Sequence, residues 1–244
     1  MLPSVGKPVR RPTLYPPSPP SPGFVGRALE GAYELAYGAL RIVILLFFRP
    51  LFLVRRVGPM PALPPGPLIV CANHASYFDP AFLQLVIRRR IVFVMTNDFY
   101  VLPSGRWFFW AARAIPVATG RLAKTGLERA LVQLRKGRVV GIFPEGRLSP
   151  DGEIGRPQRG VALLARMARA HILPAGMFGN YRTWSRDAKW AKRSDVRIAF
   201  GPLIPPPDPT PPGREAERAY ARRIMAAVAE AREMARAGGR SPHP

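Results

Sequence analysis

Apolar residues along this chain fall into short continuous runs separated by polar stretches. Residues 68–72 form one such run, which predicts a buried strand, and a helix is expected to begin at Pro80. Five later runs predict strands in the same way, at residues 91–95, 114–117, 139–143, 171–174 and 196–200. Runs of this length are typical of strands, because helices in globular proteins are usually longer.

Between these runs, apolar residues recur every three or four positions, as they do on one face of a helix. Leu127, Leu131 and Leu134 follow this spacing, and Gly137 stands where a helix commonly ends. Another helix is expected over residues 161–170. The last helix carries an apolar stripe of the same spacing, formed by Tyr220, Ile224, Val228 and Ala231. Strands that alternate with helices predict an α/β fold, with a mixed sheet flanked by helices.

The beginning of the chain has a different pattern. Residues 1–23 are rich in proline, which predicts a disordered lead. Residues 24–57 are apolar and aromatic, and they predict a helical, membrane-associating segment. Arg41 and Arg49 bracket its most apolar part, and Pro50 is expected to break the helix. These residues favour a helical hairpin at the membrane interface over a membrane span. The alternative is a helix buried in the core.

Prolines mark the next boundary. Five prolines within residues 58–67 predict a linker, after which residues 68–244 are assigned to the α/β domain. A second proline cluster, residues 205–209, precedes the terminal helix. The length of 244 residues suits one sizeable domain with appendages, so a second full domain is not expected.

The charge of the chain is strongly positive. Lys and Arg total 37 against 15 Asp and Glu, which gives a formal net charge of +22. This excess favours a polyanionic partner such as nucleic acid, an anionic membrane surface, or an acidic substrate or carrier. The basic residues are scattered among apolar elements and form no stripe interleaved with aromatic residues, so no nucleic-acid partner is expected.

The few cysteines and histidines limit the kinds of site that the chain can form. The single cysteine, Cys71, allows neither an intramolecular disulfide nor a cysteine-based metal site. The three histidines, His74, His171 and His243, have no metal-ligand spacing, so no metal is expected.

One chemically suggestive motif is the segment Asn73–Pro80, which directly follows the predicted strand 68–72. His74 and Asp79 would lie about 140° apart on a regular helix, so they can meet only if the intervening chain forms a loop. Asp79 would then cap the following helix, and its carboxylate could hold one imidazole nitrogen while the other takes a proton. The alternative is a loop histidine beside a helix cap.

A second motif, Phe143–Gly152, follows the predicted strand 139–143. It places Glu145, Gly146 and Arg147 in one turn. Glycine lets a ligand approach the backbone closely, and arginine can bind a phosphate with two hydrogen bonds. The alternative is a tight turn with a solvated ion pair.

In this order, about 70 residues apart, the two motifs resemble those of the lysophosphatidic acid (1-acylglycerol-3-phosphate) acyltransferase family, which includes glycerol-3-phosphate acyltransferases. The resemblance covers roughly residues 68–204. It extends to a weaker block at 113–117, to residues 159–162, and to the pair Leu173 and Pro174. In this family NHxxxxD supplies a catalytic dyad, and FPEG begins the site for the acceptor phosphate.

The resemblance implies an acyltransferase of phospholipid biosynthesis. It would move a fatty acyl group from acyl-CoA or acyl carrier protein, with no other cofactor, to the free hydroxyl of 1-acylglycerol-3-phosphate, giving phosphatidic acid. His74 and Asp79 would be catalytic; Glu145, Gly146, Arg147 and Arg121 would bind the substrate. Among these, Glu145 is expected to orient the site or an acceptor hydroxyl and not to bind phosphate, because like charges repel. Donors for the oxyanion are expected near Asn73 or in the loop after it. The protein would lie on an anionic membrane, at the cytoplasmic face of the cell membrane.

Two departures from the family pattern bear on the acceptor. Leu148 occupies the place where the family often has an arginine, and Arg147 precedes it. In the weaker block, Thr119 stands where an arginine is common, and Arg121 follows two residues later. The alternatives therefore include glycerol-3-phosphate, a lyso-ornithine lipid or another lysophospholipid as acceptor. A more distant alternative is a non-catalytic basic protein that binds membranes or nucleic acid.

Two other side chains are weighed as nucleophiles. Cys71 lies inside a predicted strand, which favours a small buried residue over a reactive thiol. Ser76 lacks the surrounding glycines of a nucleophile elbow. A direct transfer with His74 as general base needs neither of them.

Overall fold

The computed structural model of the protein describes residues 24–96, 115–117, 123–208 and 213–238. The proline-rich lead predicted for residues 1–23 and the candidate phosphate ligand Arg121 lie outside the described residues.

A seven-stranded mixed sheet forms the centre of the described structure. Its strands run in the order β1-β7-β6-β2-β5-β3-β4, and every neighbouring pair is parallel except β6 and β7. The strands are β1 (Leu53–Val57), β2 (Leu68–Ala72), β3 (Ile91–Thr96), β4 (Ile115–Val117), β5 (Val139–Ile142), β6 (His171–Phe178) and β7 (Asp195–Phe200). The mixed sheet confirms the predicted α/β fold.

Helices cover both faces of this sheet. They are α1 (Phe24–Leu51), α2 (Asp79–Val86), α3 (Ala123–Arg135), α4 (Gly160–Ala168), α5 (Tyr181–Trp184) and α6 (Arg214–Ala237). Ile69 and Cys71 of β2 face the core beneath α3, α4 and α6, whereas Leu68 and Val70 face the core beneath α2. Strand β2 is therefore buried on both faces, which explains why its sequence is continuously apolar.

Strand β6 is longer than the predicted run of residues 171–174. It continues to Phe178 through Gly176, where the backbone of α6 passes so close that a Cβ atom would lie 1.9 Å from the nitrogen of Arg232. The prediction stopped early because Pro174 and Gly176 are both uncommon within strands. The extra residues carry the end of β6 to the site described below.

The N-terminal segment forms one helix and no hairpin within the described residues. Helix α1 runs unbroken from Phe24 to Leu51, because Pro50 stands one residue from its end and does not divide it. Phe48 and Phe52 pack against Phe78 at 4.9 and 5.2 Å between ring centroids. Over the described part of the chain, no helix combines the length and apolar character needed to cross a membrane.

The strand that follows α1 belongs to the sheet. Residues 53–57 were assigned from sequence to the membrane-associating segment, yet they pair in parallel with β7 along the sheet edge. The guanidinium of Arg55 donates two hydrogen bonds to the Asp195 carboxylate, at 2.7 and 3.2 Å. Charged side chains are common on edge strands. Here they interrupt the apolar run from which a strand would be predicted. The sheet therefore begins before the boundary drawn at residue 68.

Candidate active site

The two motifs meet at the carboxyl ends of three adjacent strands. Strand β2 lies between β5 and β6 and is parallel to both. The residues that follow β2, β5 and β6 therefore emerge side by side at one edge of the sheet. Sites in α/β folds commonly form at such an edge.

The chain after β2, residues 73–79, is called the dyad loop. It is irregular and includes one turn, as the spacing of His74 and Asp79 required. The Asn73 side chain extends the pairing of β2 with β6: its amide donates to the carbonyl of Met177 at 3.1 Å and accepts from the Met177 N–H at 2.8 Å. Asn73 is buried. Its amide is thus used to fix the start of the loop.

Asp79 is fully buried, with 0% of its surface exposed. One carboxylate oxygen accepts from the Ala75 N–H at 2.8 Å, from the Ser76 N–H at 2.9 Å and from His74 Nδ1 at 3.0 Å. The other accepts from the amide of Asn180 at 2.8 Å. Asp79 is the first residue of α2 and not its cap, because its side chain turns back into the loop. These donors compensate for burying the carboxylate.

The His74 ring is fixed by three kinds of contact. Its Nδ1 lies 3.0 Å from Asp79 Oδ2, and a carboxylate can only accept, so Nδ1 carries the hydrogen and Nε2 is the basic nitrogen. The ring stacks on Phe143 with centroids 3.9 Å apart. The main-chain N–H donates to Glu145 at 3.0 Å, and the carbonyl accepts from the Ser149 N–H at 2.7 Å. The imidazole is 19% exposed, so a substrate can reach it.

Every main-chain N–H of residues 74–79 already has an acceptor in the protein. The acceptors are the carboxylates of Glu145 and Asp79, the carbonyls of Trp184 and Ser76, and the Ser76 hydroxyl. These groups are therefore not free to stabilise an oxyanion in this conformation. The expectation that the loop after Asn73 supplies the oxyanion donors is not met.

The Glu145 carboxylate binds main-chain N–H groups of two segments of the site. It is 6% exposed, and its two oxygens accept from the N–H groups of His74 and Gly155, both at 3.0 Å. Burial raises the pKa of Glu145, and the two N–H donors partly oppose this. The carboxylate joins the dyad loop to the segment after β5, so it positions the main chain of His74.

The turn after Glu145 opens to solvent. Gly146 has a φ of 72°, a conformation that favours glycine, and its N–H donates to the carbonyl of Phe143. Arg147 is exposed, whereas Leu148, at the usual arginine place, is buried. A cleft of about 570 Å³ opens here and includes Arg147 and Arg156 in its lining. Within the described residues neither guanidinium has a hydrogen-bond or ion-pair partner.

The other nucleophile candidates are inaccessible. Cys71 is fully buried, and burial raises the pKa of its thiol far above the ordinary range. The Ser76 hydroxyl is buried and shares a hydrogen bond of 2.6 Å with Thr183 Oγ1. Among the described residues, no group of three potential ligands could hold a metal ion.

Sequence reasoning missed three side chains at this edge. Asn73 stood inside the motif, but its partner Met177 is 104 residues away. Asn180 follows a strand whose end was not predicted, which hid its position beside Asp79. Arg156 lies nine residues after Arg147 with no motif around it, so no local signal could have found it.

The chain is similar to known acyltransferases. Residues 55–178 match the model of the family described as Acyltransferase. A 1-acyl-sn-glycerol-3-phosphate acyltransferase of Pseudomonas aeruginosa is 31% identical over 161 residues, which are 58% of this chain and 56% of that protein. A chloroplastic protein of the same name from Arabidopsis thaliana is 26% identical over 115 residues, 46% of this chain and 32% of that protein.

A solved structure shares the fold. The crystal structure of the 1-acyl-sn-glycerophosphate acyltransferase PlsC from Thermotoga maritima matches with a TM-score of 0.68 at 20% identity, over 90% of this chain and 87% of that one. The sequence matches cover between 32% and 56% of the length of the curated relatives. The family match over residues 55–178 spans just over half of the 244 residues, and the chain therefore belongs to the acyltransferase family.

Proposed function

We propose that this protein transfers a fatty acyl group from a thioester, acyl-CoA or acyl-acyl carrier protein, to the free hydroxyl of 1-acylglycerol-3-phosphate. The product is phosphatidic acid. The observation that carries the proposal is the 3.0 Å contact between His74 Nδ1 and Asp79 Oδ2, in a loop that follows β2 and is hydrogen-bonded to β6 and to Glu145 after β5. The names of the relatives, all 1-acyl-sn-glycerol-3-phosphate acyltransferases, support the choice of acceptor.

In the proposed reaction His74 is the general base. Its Nε2 removes the proton of the acceptor hydroxyl while the hydroxyl oxygen attacks the thioester carbonyl carbon. The Asp79 carboxylate, 3.0 Å from Nδ1, stabilises the imidazolium that forms. The carbon–sulfur bond then breaks, and the imidazolium returns its proton to the departing thiolate. The products are an ester and a free thiol, with no covalent enzyme intermediate.

The acceptor phosphate has its binding groups in the open cleft after β5, which is lined in part by Glu145, the acceptor of the His74 N–H. Arg147 and Arg156 line this cleft and are exposed, and guanidinium groups bind phosphate well. The acidic residues of the cleft are engaged elsewhere: Glu153 accepts two hydrogen bonds from Arg232, and Asp151 accepts from the Glu153 N–H. The two exposed guanidinium groups are the donors in this cleft that an anionic headgroup would bind.

The proposal places the enzyme on an anionic membrane, at the cytoplasmic face of the cell membrane, where its lipid acceptor would lie. The net charge of +22 supports attraction to anionic headgroups. Leu35, Ile42 and Leu46 on α1 are exposed, and these aliphatic side chains support contact with lipid.

The test is thiol release from acyl-CoA and from acyl-acyl carrier protein in the presence of lysophosphatidate, with His74→Ala compared with the wild type. We expect the rate to fall roughly 10²-fold or more in the variant. His171→Gln is the matched control, because His171 begins β6 at the opposite end from the site and its loss should leave the rate unchanged. Thermal unfolding of both variants checks that they fold.

A rate that survives in His74→Ala would overturn the general-base mechanism. Activity that appears only with glycerol-3-phosphate, a lyso-ornithine lipid or another lysophospholipid would keep the mechanism and change the acceptor. A panel of these acceptors, each tested with the wild type and with His74→Ala, distinguishes the two outcomes.

A further inference from the structure

A loop rich in basic residues lies beside the dyad loop and has no part in the reaction above. Residues 185–194 join α5 to β7 and are called the basic loop. It carries four cations, Arg186, Lys189, Lys192 and Arg193, against one acid, Asp187, so its net charge is 4 − 1 = +3. All five charged residues are exposed. Within the described residues the four cations form no ion pairs.

The basic loop also presents an exposed tryptophan. Trp190 is 79% exposed, although water solvates its apolar indole ring poorly. The loop is fixed near its carboxyl end, because the Lys192 N–H donates to the carbonyl of Thr183 at 2.7 Å and Ser194 Oγ donates to the carbonyl of Gly179 at 2.9 Å. An indole held out in solvent between cations indicates a binding surface.

The base of this loop supports the dyad loop directly. Thr183 Oγ1 shares a hydrogen bond of 2.6 Å with Ser76 Oγ, and the Tyr77 N–H donates to the carbonyl of Trp184 at 3.1 Å. The Trp184 indole N–H donates in turn to the carbonyl of Ala188 in the basic loop at 3.2 Å. The basic loop therefore adjoins the site at the same edge of the sheet.

Aromatic contacts connect this edge to the exposed apolar side chains of α1. The Trp184 ring lies 5.1 Å from Phe78, and Phe78 lies 4.9 Å from Phe48 near the end of α1. Two and six residues before Phe48 along α1, the side chains of Leu46 and Ile42 are exposed, Leu46 by 66%. Phe78 of the dyad loop therefore contacts both α1, through Phe48, and the base of the cationic, tryptophan-bearing loop, through Trp184.

We propose that the basic loop is a second membrane-binding surface, which binds anionic phospholipid headgroups through its cations and seats Trp190 at headgroup level. Tryptophan together with lysine and arginine is the composition of membrane interfaces. An acidic protein partner would also use these cations, but the loop adjoins a site whose proposed acceptor is a lipid of the bilayer, which favours the membrane surface. The inference rests on the proposed function only in that the acceptor lies in the bilayer.

Binding of the full chain to vesicles tests this surface. The vesicles contain phosphatidylglycerol and phosphatidylcholine, or phosphatidylcholine alone, and bound protein is measured by co-sedimentation. We expect Lys189→Gln with Lys192→Gln to weaken binding to the anionic vesicles roughly tenfold or more, because each cation contributes about fivefold near such a surface. Trp190→Ala should weaken it roughly tenfold as well. High salt should reduce the effect of the lysines and leave that of Trp190.

Arg214→Gln with Arg223→Gln is the matched control. It removes the same charge from exposed positions of α6, so it should change binding by no more than about twofold. Equal weakening by the control and by the lysine pair would overturn the proposal, because it would reflect net charge alone. Unchanged binding in the lysine pair together with loss of activity on acyl-acyl carrier protein would overturn it too, and would assign the loop to carrier-protein docking.

The activity assay separates this inference from the proposed function. With a short-chain lysophosphatidate dissolved without vesicles, the basic-loop variants should keep wild-type rates from acyl-CoA. Vesicle binding that depends on the loop supports the inference even where no acyl transfer to lysophosphatidate is found. Acyl transfer with vesicle binding that ignores the loop overturns the inference and leaves the proposed function in place.

Discussion

The two loops that form the candidate site are built very differently. In the dyad loop, residues 73–79, every main-chain N–H from residue 74 onward has an acceptor, and the Asp79 carboxylate accepts from four donors. The segment after β5, residues 146–158, is fixed at Ser149 and Gly155 but exposes both Arg147 and Arg156. One loop is held closely; the other offers free charged groups to a cleft.

This difference separates the two tasks of an acyl transfer. Proton removal depends on the distance and orientation of the base, so a loop that is hydrogen-bonded to β6 and to Glu145 after β5 suits it. Recognition of a headgroup needs accessible charge and tolerates variation in the surrounding loop. The contrast predicts that changes in the dyad loop lower kcat and stability, whereas changes in residues 146–158 act mainly on KM.

The largest expected effect comes from Asp79→Asn. In the variant an NH₂ group replaces one carboxylate oxygen of Asp79, so it faces at least one of the four groups that donate to Asp79 in the wild type. The negative charge beside His74 is also lost. We expect kcat to fall roughly 10²–10⁴-fold and the free energy of unfolding to fall by about 1–3 kcal/mol. Steady-state kinetics and urea denaturation measure the two. A kcat within about threefold of the wild type would show that Asp79 has no catalytic part.

Asn180→Ala should have the next largest effect. It removes the donor 2.8 Å from the second oxygen of Asp79 and leaves that oxygen buried without a partner. We expect kcat to fall roughly tenfold with KM unchanged, in line with about 1–3 kcal/mol for an unsatisfied buried group. The assay is the same thiol release, with saturation curves for the acceptor.

Gln84→Ala is the control for Asn180→Ala. Gln84 is also buried and hydrogen-bonded to main chain, at Ile87 and Ile91, but it has no contact with the site. Its loss should lower stability and leave kcat unchanged. If both variants lose the same share of kcat, Asn180 acts through stability alone and does not position Asp79.

How much of this site the sequence predicts depends on the distance between partners along the chain. His74 and Asp79 are five residues apart, so their spacing alone indicated a loop and a possible contact. Asn180 is 101 residues from Asp79, and no local pattern relates the two. The sheet was predictable because its buried strands are continuously apolar, but edge strand β1 was not, since its exposed arginines interrupt that pattern.

Glu145 is a second residue whose contacts could not be predicted from the nearby sequence. Its type and its place in a motif suggested a substrate contact, but whether a carboxylate faces a ligand or the main chain depends on the neighbouring loop. Here that neighbour is the His74 N–H, 71 residues away in sequence. The motif therefore predicts which residues lie together at this edge of the sheet, whereas the direction of their side chains depends on the fold.

Arg147→Gln and Arg156→Gln test the exposed segment after β5, residues 146–158. Each should raise the KM for lysophosphatidate roughly 3–10-fold, as expected for the loss of a solvent-exposed hydrogen bond that contributes about 1 kcal/mol. The free energy of unfolding should stay within about 0.5 kcal/mol of the wild type, because both side chains are exposed. Arg214→Gln on α6 is the control and should change neither. A fall in kcat at unchanged KM would contradict the assignment of these residues to recognition.

The smallest expected effect is the pH dependence of stability due to Glu145, which joins the two loops. Burial raises its pKa above the ordinary value of 4.5, so its contribution to stability is fully present below that value and is lost as pH rises through the folded pKa. Glu145→Gln cannot titrate, so the melting temperature of the wild type relative to this variant should fall by a few °C between about pH 4 and about pH 8.

Glu215→Gln is the control of opposite sign: the hydrogen bond from Arg222 lowers the pKa of Glu215, so its contribution is present above 4.5 and is lost as pH falls. A wild-type advantage over Glu145→Gln that grows with pH would mean that the N–H groups of His74 and Gly155 outweigh burial, and that the ionised carboxylate is what holds the two loops together.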